Sequence, residues 1–377
     1  MSVPSSLVRA IDALVVHYDT TVLPAWTGAG WDAARQLAHE ALDGASGQPR
    51  PDQRFRAMAC ARQLFVFARA GQLTHAGALF ASLRRYFGGS GEDSQDNGAW
   101  LYSVGPDGTP LDATRDLYTH AFVIFAAAHY YRASSDAQAL ALLRRTVAVV
   151  EERFANGLGL YHAALTADFG DSGAGVLQNP IMHLTEAYLA ALEATGDAWF
   201  ETRLRVLARA VHVTFVDPLN GCIAELPQGT VGNRIEPGHQ FEWYSLVAMA
   251  PQVFADSPLP ETLEQAFAFA RTHGLGDADT LGVCAALDGA GRQIDTTQRI
   301  WAQTEFARAL GLRGTIGGDA SALAQLEAWI ASFRIRFLHP RGWHEVLAAD
   351  GSVLRAEMPS TTPYHLLTAY EALRSWR

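Results

Sequence analysis

The chain has 377 residues, of which 49% are hydrophobic and 18% charged, with a formal net charge of −10. That composition buries a large core and excludes disorder. The acidic balance, with no basic run, excludes nucleic acid and anionic membrane as expected partners. No apolar run reaches the roughly 20 residues of a membrane span. Asp12 and His17 interrupt any leader-like core near the N-terminus, so a soluble cytoplasmic protein is expected.

The cysteines Cys60, Cys222 and Cys284 are far apart and form no CxxC pair, which argues against thiolate zinc and a disulfide framework. The chain has no lysine, so all 29 Lys+Arg residues are arginine. This excludes lysine Schiff bases, a pyridoxal-phosphate anchor and a P-loop lysine. GxGxxG after a strand and GxSxG are also absent.

In chain order, apolar residues at i, i+3, i+4 predict helices over Leu7–Thr21, Arg54–Ala70, Thr74–Tyr86, Asp116–Tyr131, Ala137–Phe154 and Pro180–Ala194. They predict further helices over Trp199–Phe215, Phe241–Phe254, Glu261–Thr272, Arg299–Leu310, Ala320–Phe337 and Pro363–Trp376. Six helix starts carry polar or aromatic groups: ARQLF, DLYTHAF, NPIMHLTEA, HQFEW, RIWAQTEF and TPYHLL. They recur at roughly 60-residue spacing, right for a helix pair plus a connection. Between them lie WLYSVGPDG, LYHAALTADFG, CIAELPQG, VCAALDG and WHEVLAADG, each read as a short hairpin with a glycine turn. GEDSQDNG at Gly91–Gly98 lacks the EF-hand order and reads as a loop.

Six pairs closing into a ring give an all-α (α/α)6 barrel of about twelve helices, with short β-hairpins on the active-site face and residues 1–377 forming one catalytic domain. An open solenoid is the alternative packing. Closure is preferred because only a ring brings the polar groups of all six repeats to one pocket.

His183 with Glu186, and His239 with Glu242, stand at i,i+3, which places imidazole and carboxylate on one helical face. Such pairs suit general acid–base work. Two of them also resemble part of a dimetal site, but the Glu-x-x-His order is reversed and Pro180 and Pro237 mark helix starts, so no metal is expected. His365 falls in a first turn, behind Thr361 or Thr362 as cap and Pro363, where the helix dipole disfavours an imidazolium. The other histidines read as structural or solvated, His120 and His344 least clearly. Arg62 on an apolar helix requires a partner and suits a donor fork for substrate oxygens. Helical spacing pairs Arg299 with Gln303 and Trp301 with Glu305. Tyr118, Trp243 and Trp343 offer aromatic faces beside hydrogen-bonding groups, as sugar rings require.

DLYTHAF, NPIMHLTEA, EPGHQFEW, RIWAQTEF and TPYHLL, in this order, resemble the N-acylglucosamine 2-epimerase superfamily of barrel-shaped sugar enzymes, and within it the D-mannose isomerase side. Many relatives read RIWPQTE, and Ala302 replaces that proline. The resemblance implies His239 and His365 as the acid–base pair, Glu242 orienting His239, and His183 and Arg62 holding substrate oxygens. It places Trp301, Gln303, Tyr118 and Trp243 along the pocket; Asn179, Glu186, Arg299 and Trp343 are expected to bind substrate beside them. No cofactor is implied, and the partner is a monosaccharide bound by a monomer or homodimer. A sugar 2-epimerase uses the same residues. A glycoside hydrolase would need two carboxylates from Glu186, Glu242 and Glu305 and would leave the histidines without a purpose. A non-catalytic sugar-binding protein is the third class.

Overall fold

The computed structural model describes residues 3–51, 53–88, 97–276 and 280–375. Most of GEDSQDNG, expected to be a loop, lies outside these residues, as does Trp376. The helices in chain order are α1 (Ser5–His17), α2 (Leu23–Thr27), α3 (Ala57–Arg69), α4 (Leu73–Phe87), α5 (Leu117–Ser134), α6 (Ala137–Val149) and α7 (Gln178–Thr195). They continue as α8 (Ala198–Phe215), α9 (Pro237–Ala248), α10 (Pro251–Phe254), α11 (Leu259–His273), α12 (Ile300–Thr315), α13 (Ala320–Arg336) and α14 (Thr362–Ser375). Two predicted helices end in a π-helical turn, Tyr18–Val22 and Val150–Phe154, and the short α2 was not anticipated.

Helices α3, α5, α7, α9, α12 and α14 each pack on the next, and α14 returns to α3. The ring is closed, which rules out the open solenoid and makes the fold an (α/α)6 barrel. Helices α4, α6, α8, α11 and α13 pack outside their inner partners, and α1 packs on α13 and α14. The first helix of the chain is thus the outer partner of the last. Tyr18 fixes this seam by donating to the carbonyl of Pro363 at 3.3 Å.

The two layers have different sequences for a physical reason. An inner helix is covered on all sides, so α3 buries every residue from Ala57 to Ala68. Outer helices bury one stripe, and three of them begin with Asp caps: Asp136, Asp197 and Asp319 accept first-turn N–H groups of α6, α8 and α13.

Short strands rim the N-terminal ends of the inner helices. Ser103–Val104 pairs with Pro110–Asp112, Ala286–Leu287 with Gln293–Asp295, and Val346–Leu347 with Val353–Arg355, all antiparallel. Ala164–Leu165 instead pairs back with Arg115–Asp116, which leads into α5. The expected CIAELPQG hairpin is replaced by turns. Pro227 has no N–H to give, and the Asn233 side chain accepts from Leu226 N at 2.9 Å and donates to Leu226 O at 2.7 Å, as a second strand would. Among the described residues no helix is long and apolar enough to cross a membrane.

Candidate active site

The N-terminal halves of the six inner helices carry the polar groups of the site. Arg62 comes from α3, Tyr118 from α5, His183 and Glu186 from α7, His239 and Glu242 from α9, Trp301 and Glu305 from α12, and His365 from α14. Arg62, His183, Glu186, His239, Glu242, Glu305 and His365 are all buried. Charges at such depth require partners.

Three imidazole–carboxylate pairs supply them. His183 Nδ1 lies 3.1 Å from Glu186, His365 Nδ1 lies 3.0 Å from Glu305, and His239 Nδ1 lies 2.7 Å from Glu225. The first follows from i,i+3 spacing. The third differs from the sequence expectation, in which Glu242 orients His239. Glu242 is on the same helix but turns toward His183, with Oε1 at 4.0 Å from its Nδ1. The carboxylate that reaches His239 comes from the loop before α9.

Both Glu242 oxygens are buried without a hydrogen-bond partner. Burial, with Glu305 and Glu186 beside it, pushes the Glu242 carboxyl well above the usual carboxylate range. Both causes favour the neutral acid, which has a proton to donate. Gln is the isostere of that state, so Glu242→Gln keeps kcat within about tenfold of wild type, whereas Glu242→Ala loses about 10²-fold or more. Steady-state kinetics of the two variants checks this.

His239 and His365 are driven apart. Burial opposes charge on His239, but Glu225 and then Glu236 outweigh it, and the ring is raised above 6.5. His365 is lowered well below 6.5, first by burial and then by Arg62 and His183. Its lowering thus rests on burial and the Arg62 charge more than on its first-turn position. His183 is lowered to about 4 by burial, against the pull of Glu186. A protonated and a neutral imidazole in one site form an acid–base couple.

Trp301 touches both rings, with centroids 4.9 Å from His239 and 5.7 Å from His365. Gly238 makes room for it: a Cβ there would lie 2.8 Å from the Trp301 ring and 2.7 Å from the Ala302 Cβ. The exposed Arg299 guanidinium lies 5.4 Å from the Trp301 ring centroid. Arg62 donates to the Tyr118 hydroxyl at 2.6 Å, lies 4.2 Å from the Phe122 ring, and leaves Nε buried without a partner. It makes no ion pair among the described residues. Asn179 is half-buried at the rim with an unpartnered carbonyl oxygen.

Four of the residues expected to bind substrate make internal hydrogen bonds. Trp243 is fully buried and donates to Gln178 at 2.9 Å. Trp343 is fully buried and donates to Glu345 at 2.9 Å, and Glu345 also accepts from Thr362. Gln303 accepts from Val283 N and donates to Val283 O, which pins the neighbouring loop, and it meets Arg299 only at its carbonyl. Glu186 takes the Tyr364 hydroxyl as well as His183. His120 is structural: it accepts from Trp100 N and sits on the Asp116 carbonyl.

Glu225, Gln178 and Tyr364 were not singled out from the sequence. Arg308, i+3 from Glu305 and buried, is signalled by the same charge-on-an-apolar-helix logic as Arg62.

Ligand atoms of three His and carboxylate groups come within 4.8 Å of one another, around His183, His239 and His365. In each group an imidazole Nδ1 is already engaged by a carboxylate of that group, which reads as three acid–base dyads. A cavity of about 490 Å³ opens at the other end of the ring, past Arg69, Arg132 and Met249, and meets this site only through Glu186 and Arg308.

The model of the N-acylglucosamine 2-epimerase (GlcNAc 2-epimerase) family matches residues 39–369. A mannose-6-phosphate isomerase of Rhizobium meliloti (strain 1021) is 28% identical over 380 residues, covering 92% of this chain and 92% of that protein. A D-mannose isomerase of Thermobifida fusca is 30% identical over 304 residues, covering 74% and 73%. The solved cellobiose 2-epimerase from Bacillus thermoamylovorans B4167 superposes with a TM-score of 0.84 at 17% identity, covering 97% of this chain and 98% of that one. The chain therefore belongs to the N-acylglucosamine 2-epimerase family and is an enzyme of the sugar isomerase and epimerase class.

Proposed function

We propose that the protein interconverts D-mannose and D-fructose by moving one proton between C2 and C1 through an enediol. The observation that carries the chemistry is geometric: His239 on Glu225 and His365 on Glu305 both contact Trp301, with the Arg62 guanidinium in the same site, and their surroundings raise the first imidazole and lower the second. The choice of sugar is supported by the relatives named as mannose isomerases and by the NPIMHL and EPGHQFEW segments.

In this reading His365 Nε2 takes the C2 proton of the open-chain aldose, and the C–H electrons form the C1=C2 bond. His239 gives its proton to O1. Arg62 and the neutral Glu242 donate to the developing oxyanion. His365 then returns a proton to C1, and the O2 proton passes back to His239, which leaves a ketone at C2 and both imidazoles as they began. Tyr118 and His183 hold hydroxyls, and Arg299, Trp301 and Asn179 line the mouth.

Product analysis by NMR tests the assignment. The protein is incubated separately with mannose, mannose 6-phosphate, fructose, glucose and cellobiose. Fructose from mannose is expected. Glucose as the early product would replace this reading with a 2-epimerase, and turnover of the phosphate alone would move the substrate to the phosphorylated sugar.

The active form requires His365 neutral and His239 protonated. kcat/KM is therefore expected to be bell-shaped, with an acid limb well below 6.5, where His365 takes up a proton, and an alkaline limb above 6.5, where His239 loses one. A rate profile across that range checks both signs. The mechanism uses no metal, so exhaustive chelation leaves kcat unchanged. Loss of activity restored by a divalent ion would contradict it.

A further inference from the structure

We infer that Glu225, set in place by Gln178 and Trp243, is the positioning residue that presents His239 to the substrate through Nε2. The inference rests on the acid role proposed for His239.

The reasoning starts at Trp243. An indole N–H can only donate. Lying 2.9 Å from Gln178 Oε1, it fixes which way the amide faces. The Gln178 amino group must then face the other side, where Nε2 is 2.9 Å from Glu225 Oε1. Glu225 Oε1 is in turn 2.7 Å from His239 Nδ1. Gln178 Nε2 lies 2.9 Å from Nδ1 as well, but its hydrogen has an acceptor in Glu225, whereas the Glu225 carboxylate at 2.7 Å can only accept. Nδ1 is therefore the ring nitrogen that gives hydrogen to Glu225, and Nε2 is the atom left for transfer. The loop carrying Glu225 is tied on both sides: its backbone N–H donates to Arg234 O at 3.0 Å, and its carbonyl accepts from Gln178 N at 3.3 Å.

The charges facing His239 come from every neighbouring element. Glu225 and Glu236 are on the preceding loop and the α9 cap, the latter 3.8 Å from Nδ1 and paired with Arg234. Arg299 faces it from the strand before α12, and His183 from α7. Glu225 is the nearer carboxylate and does most to keep the buried ring charged. Removing its charge leaves the burial and Arg299 in place, and both favour the neutral ring.

The test compares wild type with Glu225→Gln, Glu225→Asp and His239→Asn on mannose, alongside a histidine ¹⁵N NMR titration that does not depend on turnover. Glu225→Gln is expected to lower kcat about 10–100-fold at pH 7.5, as loss of an orienting partner does, with KM changed less than about threefold. Its alkaline limb and the His239 titration move down by about one unit or more, so the deficit narrows as pH falls. Glu225→Asp keeps the charge, and its limb falls between the other two. A folded Glu225→Gln with an unshifted alkaline limb and an unshifted His239 titration overturns the inference. Should Glu225→Gln not fold, Glu225→Asp decides it: a limb and titration identical to wild type overturn it. Near-wild-type kcat in His239→Asn would instead remove the acid role of His239, while the NMR titration still reports whether Glu225 holds the ring.

Discussion

His365→Asn lowers kcat by at least about 10²-fold, equivalent to about 2.7 kcal/mol of transition-state stabilisation. His365 is the one imidazole of the site that is both far below its ordinary range and in contact with Trp301. The Asn amide can still donate toward the Glu305 carboxyl that His365 Nδ1 meets, so the site is disturbed less than by Ala, but it cannot take a proton from carbon. Arg308, 3.4 Å from Glu305, also remains, so the fold is retained. His239→Asn is expected to fall by a similar factor because it removes the acid. Ketose formation from mannose, with KM measured in parallel, checks both. A variant of either with near-wild-type kcat removes that residue from the proton path.

Arg62→Met carries the second large effect. The guanidinium is buried with Nε unpartnered, between the Tyr118 hydroxyl and the Phe122 ring. A cation held this way is poised for negative charge that appears only in the reaction. Removing one such donor typically costs about 10²–10³ in kcat. Met keeps much of the packing against Phe122 and Tyr364, so thermal stability changes little while kcat falls. Arg62→Lys does not restore the rate, because a point charge on a flexible stem cannot reproduce the planar fork that spans Tyr118 and the substrate. Activity within about threefold of wild type in Arg62→Met would show that the oxyanion is stabilised elsewhere.

Much of the architecture was legible because a closed two-layer ring writes itself locally. Inner helices are apolar over most of their surface, outer ones have a single stripe, and the polar marks recur near the start of each inner helix. The pair His183–Glu186 was legible for the same reason, since i,i+3 spacing alone brings it together. What failed was the extension of that rule to His239. Two residues on one helical face are near each other, but which neighbour a ring meets depends on what packs against the helix. There the loop holding Glu225 comes closer than Glu242 does. Long-range partners of this kind, such as Gln178 for Glu225 across 47 residues or Tyr364 for Glu186 across 178, leave no trace in spacing. Trp243 and Trp343 illustrate the converse. An aromatic beside a polar residue reads equally as a sugar platform or as a brace, and their indole N–H groups turn out to hold Gln178 and Glu345. The lost hairpin at CIAELPQG was signalled by Pro227, whose missing N–H weakens any strand reading.

The central claim is proton transfer from C2 to C1 of mannose by the imidazole couple. It is tested most directly by turning over mannose in D₂O and following both product and label by NMR. The account predicts fructose as the first product, carrying deuterium at C1 in a fraction set by how often the His365 proton exchanges with solvent before it is returned. Glucose as the dominant early product, with solvent deuterium at its C2, would contradict the account, as would fructose that stays free of C1 deuterium after many turnovers.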